Sequence, residues 1–159
     1  MQSYLRFGAM ILTSTALMLL LMYFNSYSME HVFWSETRFY MALYMGAMMA
    51  VVMLTYMLAH YRNRAVNAAI FAGSAVVFVV ALFLLRSQST VQDVSWMKAM
   101  IPHHSIAILT SERAQISDPR VRELADQIIE AQRLEIDEMK ALIADLEGGP
   151  RATPEIDGK

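Results

Sequence analysis

Residues 39–59 read FYMALYMGAMMAVVMLTYMLA, a run without a single charge. Two further charge-free runs flank it, at 7–27 and 65–85. Each has about the 20 residues a helix needs to cross the hydrocarbon core of a bilayer. The whole chain of 159 residues is 56% hydrophobic, with a mean hydropathy of +0.34, high for a water-soluble domain. The three runs therefore read as transmembrane helices. The first follows Arg6 without a small-residue cleavage site, so it reads as a retained span rather than a signal peptide. Tyr4, Tyr23, Tyr27, Trp34, Phe39, Tyr40 and Tyr61 fall near span ends, where an aromatic belt lies.

From residue 88 the charge density becomes that of a soluble helical protein. The expected organisation is all-α: a transmembrane domain over 1–87, a soluble antiparallel helical hairpin over 88–147, and a disordered tail over 148–159. Arg62 and Arg64 in the second loop and Arg6 before the first span outweigh the single Arg38 of the first loop. The positive-inside rule then places the N-terminus and second loop in the cytoplasm of a bacterial inner membrane and the hairpin in the periplasm. The chain has no cysteine, which excludes disulfides and thiolate metal sites. Its net charge of −2, without basic-aromatic interleaving, gives no sign of a nucleic-acid partner.

Fourteen methionines are many for this length. In the second span, Met41, Met45, Met49, Met53 and Met57 recur every four residues, and Met48 joins them. Such a row winds slowly round a helix. It is either a packing seam of adaptable side chains or a row of thioethers able to hold Cu(I). Gly46 and Ala50 permit close helix approach in either case.

In the soluble part, Ser89 or Thr90 can cap a helix with Asp93 in its first turn, running to about Ala114. Pro102 inside it removes one backbone hydrogen bond and should bend the helix just before His103 and His104. Asp118 and Pro119 start a second helix, which stops at Gly148-Gly149-Pro150. In this helix Val121, Ile128, Glu135 and Leu142 form one seven-residue row, and Ala125, Gln132, Met139 and Leu146 form another. Glu135 and Gln132 thus fall in a stripe expected to be buried. A carboxylate there needs a metal or a cation such as Lys98, unless it sits at the stripe's edge. Two helices cannot enclose a core alone, so a homodimer or higher homo-oligomer completing a four-helix bundle is expected.

Met100, His103 and His104 stand at i, i+3 and i+4, so one helix side can present a thioether and two imidazoles. These are ligands for a soft or borderline ion, Cu(I) or Ag(I) above all. A hairpin turning near Ser117 sets Met100 roughly opposite Glu135, Met97 opposite Glu138 or Met139, and His104 opposite Ile128 to Gln132. The candidate metal residues are therefore Met97, Met100, His103, His104, Glu135 and Met139, with Asp93, Gln132 and Glu138 as outlying members.

The stretch Asp93 to Leu146 carries Met-Ile-Pro-His-His at 100–104, Ala107-Ile108, Leu124-Ala125, Ile128-Ile129, Gln132, Glu135-Ile136 and Met139. It resembles the domain-of-unknown-function 305 family, and the whole chain resembles its membrane-anchored members with three N-terminal spans. The resemblance implies a ferritin-like helical fold, and the copper- or silver-binding activity of the exported CopM-like members. It implies metal binding around Met100, His103, His104 and Met139, with Glu135 and Gln132 as neighbours. Many members have a methionine six residues after the second histidine, where this chain has Thr110. Many exported members also carry two copies of the motif, where this chain has one.

The expected function is metal buffering, resistance or delivery to a metal-transport partner, without enzymatic activity. The rivals are an accessory membrane subunit whose hairpin docks on a partner, and a ferritin-like metal-dependent oxidoreductase. The second lacks the Glu-x-x-His pairs of a di-metal site, since Met100 and Ile101 stand three residues before the histidines.

Overall fold

A computed structural model describes residues 2–148. Among these residues the chain is all-α, with five α-helices and one 3-10 turn. It divides into two compact units, Met1–Met22 with Glu36–Val91, and Tyr23–Ser35 with Gln92–Lys159. The tail expected to be disordered lies, apart from Gly148, outside the described residues.

The first unit holds α1 (Gln2–Leu21), α2 (Glu36–Tyr56) and α3 (Arg64–Ser87). All three are long and apolar enough to cross a membrane. α2 packs against both α1 and α3. It buries small residues, Ala42, Gly46, Ala47 and Ala50. At Gly46 the approach is so close that an added Cβ would stand 2.3 Å from the Thr15 hydroxyl. Glycine is required there because a backbone meets a neighbouring helix. One end of this unit is closed by a cluster of Phe7, Ala50, Leu54 and Tyr61. Tyr61 packs tilted against Tyr4 and edge-on against Phe7, with centroids 4.9 and 5.4 Å apart. Asn63 caps α3 by accepting from the amides of Ala65 and Val66.

The first span differs from expectation. The helix starts before Phe7 and ends at Leu21, so 22–27 are not part of it. Arg38 donates to the Met22 carbonyl at 2.8 Å and satisfies one of the carbonyls freed there. The segment Tyr23–Ser35, read as span end and loop, instead folds with the second unit.

The second unit is built on α4 (Asp93–Arg113) and α5 (Pro119–Leu146). The two run antiparallel: Lys98 pairs with Glu147 at one end, and Arg122 donates to the Ser111 carbonyl at the other. Asp118 caps α5 by accepting from the Arg120 amide, and Pro119 occupies the first turn, as expected. The expected cap of α4 is corrected. The helix begins at Asp93, so Gln92 holds that position, without a side-chain bond, while the Ser89 and Thr90 hydroxyls bond Ser87 and Tyr40. α4 is continuous through Pro102, whose ring is buried.

The core between α4 and α5 is Met97, Ile101, Ile108, Ile136, Met139 and Ile143, with Phe33 of the Tyr23–Ser35 segment packed against it. This segment supplies what two helices lack. Its Tyr27 amide donates to the Ser105 hydroxyl at 2.7 Å, and His31 Nδ1 lies 3.0 Å from the same oxygen. The hairpin thus has a third wall, drawn from the first loop.

Candidate metal centre

Imidazole orientation follows from what each ring nitrogen faces. His104 is one turn after Met100 on α4, and its Nδ1 donates to the Met100 carbonyl at 3.0 Å. A carbonyl can only accept, so Nδ1 carries a proton. That leaves Nε2, in the neutral ring, as a bare lone pair. Yet Nε2 lies 2.7 Å from Glu135 Oε2 on α5. Two acceptors cannot face each other at that distance without a positive hydrogen, or another cation, on the contact. The His104 side chain is mostly buried and the Glu135 side chain is 51% exposed, so the contact lies at the rim of the hairpin. Gln132 donates to the same carboxylate oxygen at 3.3 Å.

The structure brings together part of the candidate set. His103 is exposed beside His104, with ring centroids 6.0 Å apart. Met100 is half-buried and packs on the core edge. Met97 and Met139 are inside the core among isoleucines. Asp93 and Glu138 are exposed, and no bond links them to the His104–Glu135 contact. Among the described residues, no three His, Asp or Glu side chains form a group able to hold a metal ion.

Two expectations about register are corrected. His104 meets Glu135 rather than the stretch from Ile128 to Gln132. Lys98 pairs with Glu147 rather than with Glu135. The hairpin turn, which spans 114–118 before the capped start of α5, slides the helices by about one turn relative to a sharp reversal at Ser117. The expected burial of the Val121, Ile128, Glu135 and Leu142 row is also corrected. Val121 and Ile128 remain 49% and 38% exposed, because α4 packs on the adjoining row of Ile129, Ile136 and Ile143.

One group near the centre was missed from sequence. Ser105 is fully buried and joins the segment of Tyr27 and His31 to α4 next to His104. The signal was a hydroxyl in the apolar row of Ile101 and Ile108. Burial, and next the positive charge of Lys140, hold the His31 imidazole below its ordinary value.

An uncharacterized protein of Acanthamoeba polyphaga mimivirus is 32% identical over 107 residues, covering 66% of this chain and 68% of that protein. No solved structure matches the chain. The family model described as Domain of unknown function (DUF305) matches residues 84–155, which contain α4, α5 and the His104–Glu135 contact. The chain belongs to the DUF305 family.

Proposed function

We propose that this chain is a membrane-anchored protein whose helical hairpin binds Cu(I) or Ag(I), for buffering, resistance or delivery to a metal-transport partner. The observation that carries the reading is His104 set between two acceptors. Nε2 and Glu135 Oε2 converge at 2.7 Å, a contact into which a metal ion would fit in place of hydrogen. A backbone bond to the other ring nitrogen is the usual way a ligating histidine is oriented. The donors fit a soft or borderline ion: an imidazole, a thioether one turn back at Met100, a carboxylate, and the exposed imidazole of His103. Bound there, such an ion is stored or passed on. Gln132 holds the carboxylate, and Met97 and Met139 keep the helices in register from within the core.

Placement in a membrane has its own support. The segment Tyr23–Ser35 folds onto α4 and α5, and α2 and α3 lie between them in the chain. Two crossings return a chain to its starting side, so three spans and this packing agree. The arginines of the second loop put that loop in the cytoplasm and the hairpin in the periplasm of a bacterial inner membrane.

A second copy completes the hairpin in this reading. Val121, Leu124, Ile128 and Leu142 leave an apolar stripe exposed on α5 at heptad spacing. A homodimer of hairpins gives a four-helix, ferritin-like bundle with a second His104–Glu135 pair. The same stripe also suits an accessory subunit that docks on a different protein.

The test is metal loading of the purified full-length chain, anaerobically, with Cu(I), Ag(I), Zn(II) and Fe(II). Cu(I) and Ag(I) should bind most tightly, and affinity should fall with acidification as the proton competes for Nε2. Replacing His103 and His104 with alanine should weaken binding at least about tenfold. Met139→Leu should leave affinity unchanged. Wild-type affinity in the double histidine variant would overturn the site.

A further inference from the structure

The first unit holds a second cluster of soft donors. A groove of about 420 Å³ is lined by Met18 of α1 and by Met45, Met48, Met49 and Met53 of α2. Tyr44 of α2 and Phe78 of α3 wall it, edge to face at 5.9 Å and 89°. Nearly all of its lining is apolar. Met45, Met48 and Met49 stand at i, i+3 and i+4, so they share one side of α2. The four-residue row is therefore divided by the fold. Met57 packs with the Tyr61 cluster at one end, Met45 and Met49 open into the groove with Met18, and Met53 touches both.

We propose that this groove is a thioether site for a soft monovalent ion, Cu(I) or Ag(I), within the membrane-spanning unit. Packing needs are already met elsewhere. α2 buries Ala42, Gly46, Ala47, Ala50 and Leu54, and Met45, Met48 and Met49 are not among the residues packed on the Tyr61 cluster. A thioether is neutral and carries no titratable proton, so it adds no buried charge of its own. Two or three such sulfurs replace the hydration of a soft ion, whereas Zn(II), Ca(II) or Na(I) would keep their preference for nitrogen or oxygen. α3 contributes the Phe78 ring but no sulfur, so α1 and α2 hold the ion.

The groove and the hairpin contact differ in one testable property. A proton competes with metal at His104 and cannot compete at a thioether. The proposal does not depend on the hairpin reading. The full chain in lipid nanodiscs is titrated with Cu(I) near neutral pH and at about pH 5. Four forms are compared: wild type, His103 and His104 to alanine, the triple Met45→Leu, Met49→Leu and Met53→Leu form, and the combination. The histidine variant should keep one equivalent at both pH values, with sulfur-only coordination by X-ray absorption. The leucine triple should lose that equivalent and keep the acid-sensitive one. Leucine nearly conserves methionine's volume. Equal stoichiometry in wild type and the leucine triple at both pH values overturns the groove. Loss of all binding in the histidine variant overturns it too, and leaves the hairpin reading standing. Should the triple fail to fold, methyl-labelled methionine spectra of the wild type with Ag(I) decide. Shifts at Met18, Met45 and Met49 support the site, and their absence overturns it.

Discussion

The two units of this chain are built inside out relative to one another in composition. In the first, small residues make the helix contacts, while Leu5, Leu12, Leu17, Val76, Val79 and Phe83 face outward. In the second, Ile101, Ile108 and Ile136 are sealed inside, and charged side chains such as Glu112, Arg120 and Arg133 lie on the surface. The difference reflects the solvent each suits. Lipid tails reward a leucine as well as a core does, so helices in lipid associate by close backbone approach. Water penalises exposed leucine, so helices in water associate by burying it. The exception is the stripe of Val121, Leu124 and Ile128, which leaves apolar surface on the water-suited unit.

The largest expected effect tests the water-suited core. Ile136→Ala or Ile101→Ala should destabilise the second unit by about 2–5 kcal/mol, since each removes a fully buried side chain and leaves a cavity. Chemical unfolding followed by circular dichroism measures it. A loss below about 1 kcal/mol would mean that the core collapses freely and that the comparison is overdrawn.

Close approach is tested next. Gly46→Ala should cost about 1–3 kcal/mol by overpacking, because its Cβ would meet Thr15. Adding Thr15→Ala should restore most of the loss, since the threonine side chain makes the contact. Unfolding of the two variants in mild detergent checks the pair. Among the described residues of the second unit no glycine plays this part, and volume rather than approach decides.

A smaller effect concerns the hinge between loop and hairpin. Ser105→Ala leaves the Tyr27 amide without its side-chain acceptor and should cost on the order of 1 kcal/mol. Hydrogen exchange at the Tyr27 amide should quicken, while exchange within α5 stays slow.

The smallest effect is on pH. His31 titrates below its ordinary value of 6.5 because it is partly buried and lies near Lys140, although Glu30 and Asp137 oppose the shift. The unfolded chain then binds more protons, so docking of Tyr23–Ser35 is strongest above about 6.5 and weakens as pH falls toward the folded value. His31→Asn should flatten that dependence. Exchange at the Tyr27 amide, measured across this range, reports it.

Sequence pattern by itself determined that the chain is helical, that three helices suit a membrane, and that Asp118 caps the start of α5. These follow from composition, apolar run length and local capping, which act within a few residues. The pattern also marked Met100, His103, His104 and Glu135. Tertiary structure alone decided which of them meet. A slide of about one helical turn pairs His104 with Glu135 and Lys98 with Glu147. Packing of the second unit puts Met97 and Met139 in its core, and Tyr23–Ser35 folds onto Ser105 rather than extending the first span. Register between helices depends on loop length and on which row of side chains interdigitates. Those are long-range choices among faces of similar hydrophobicity, and no local signal ranks them.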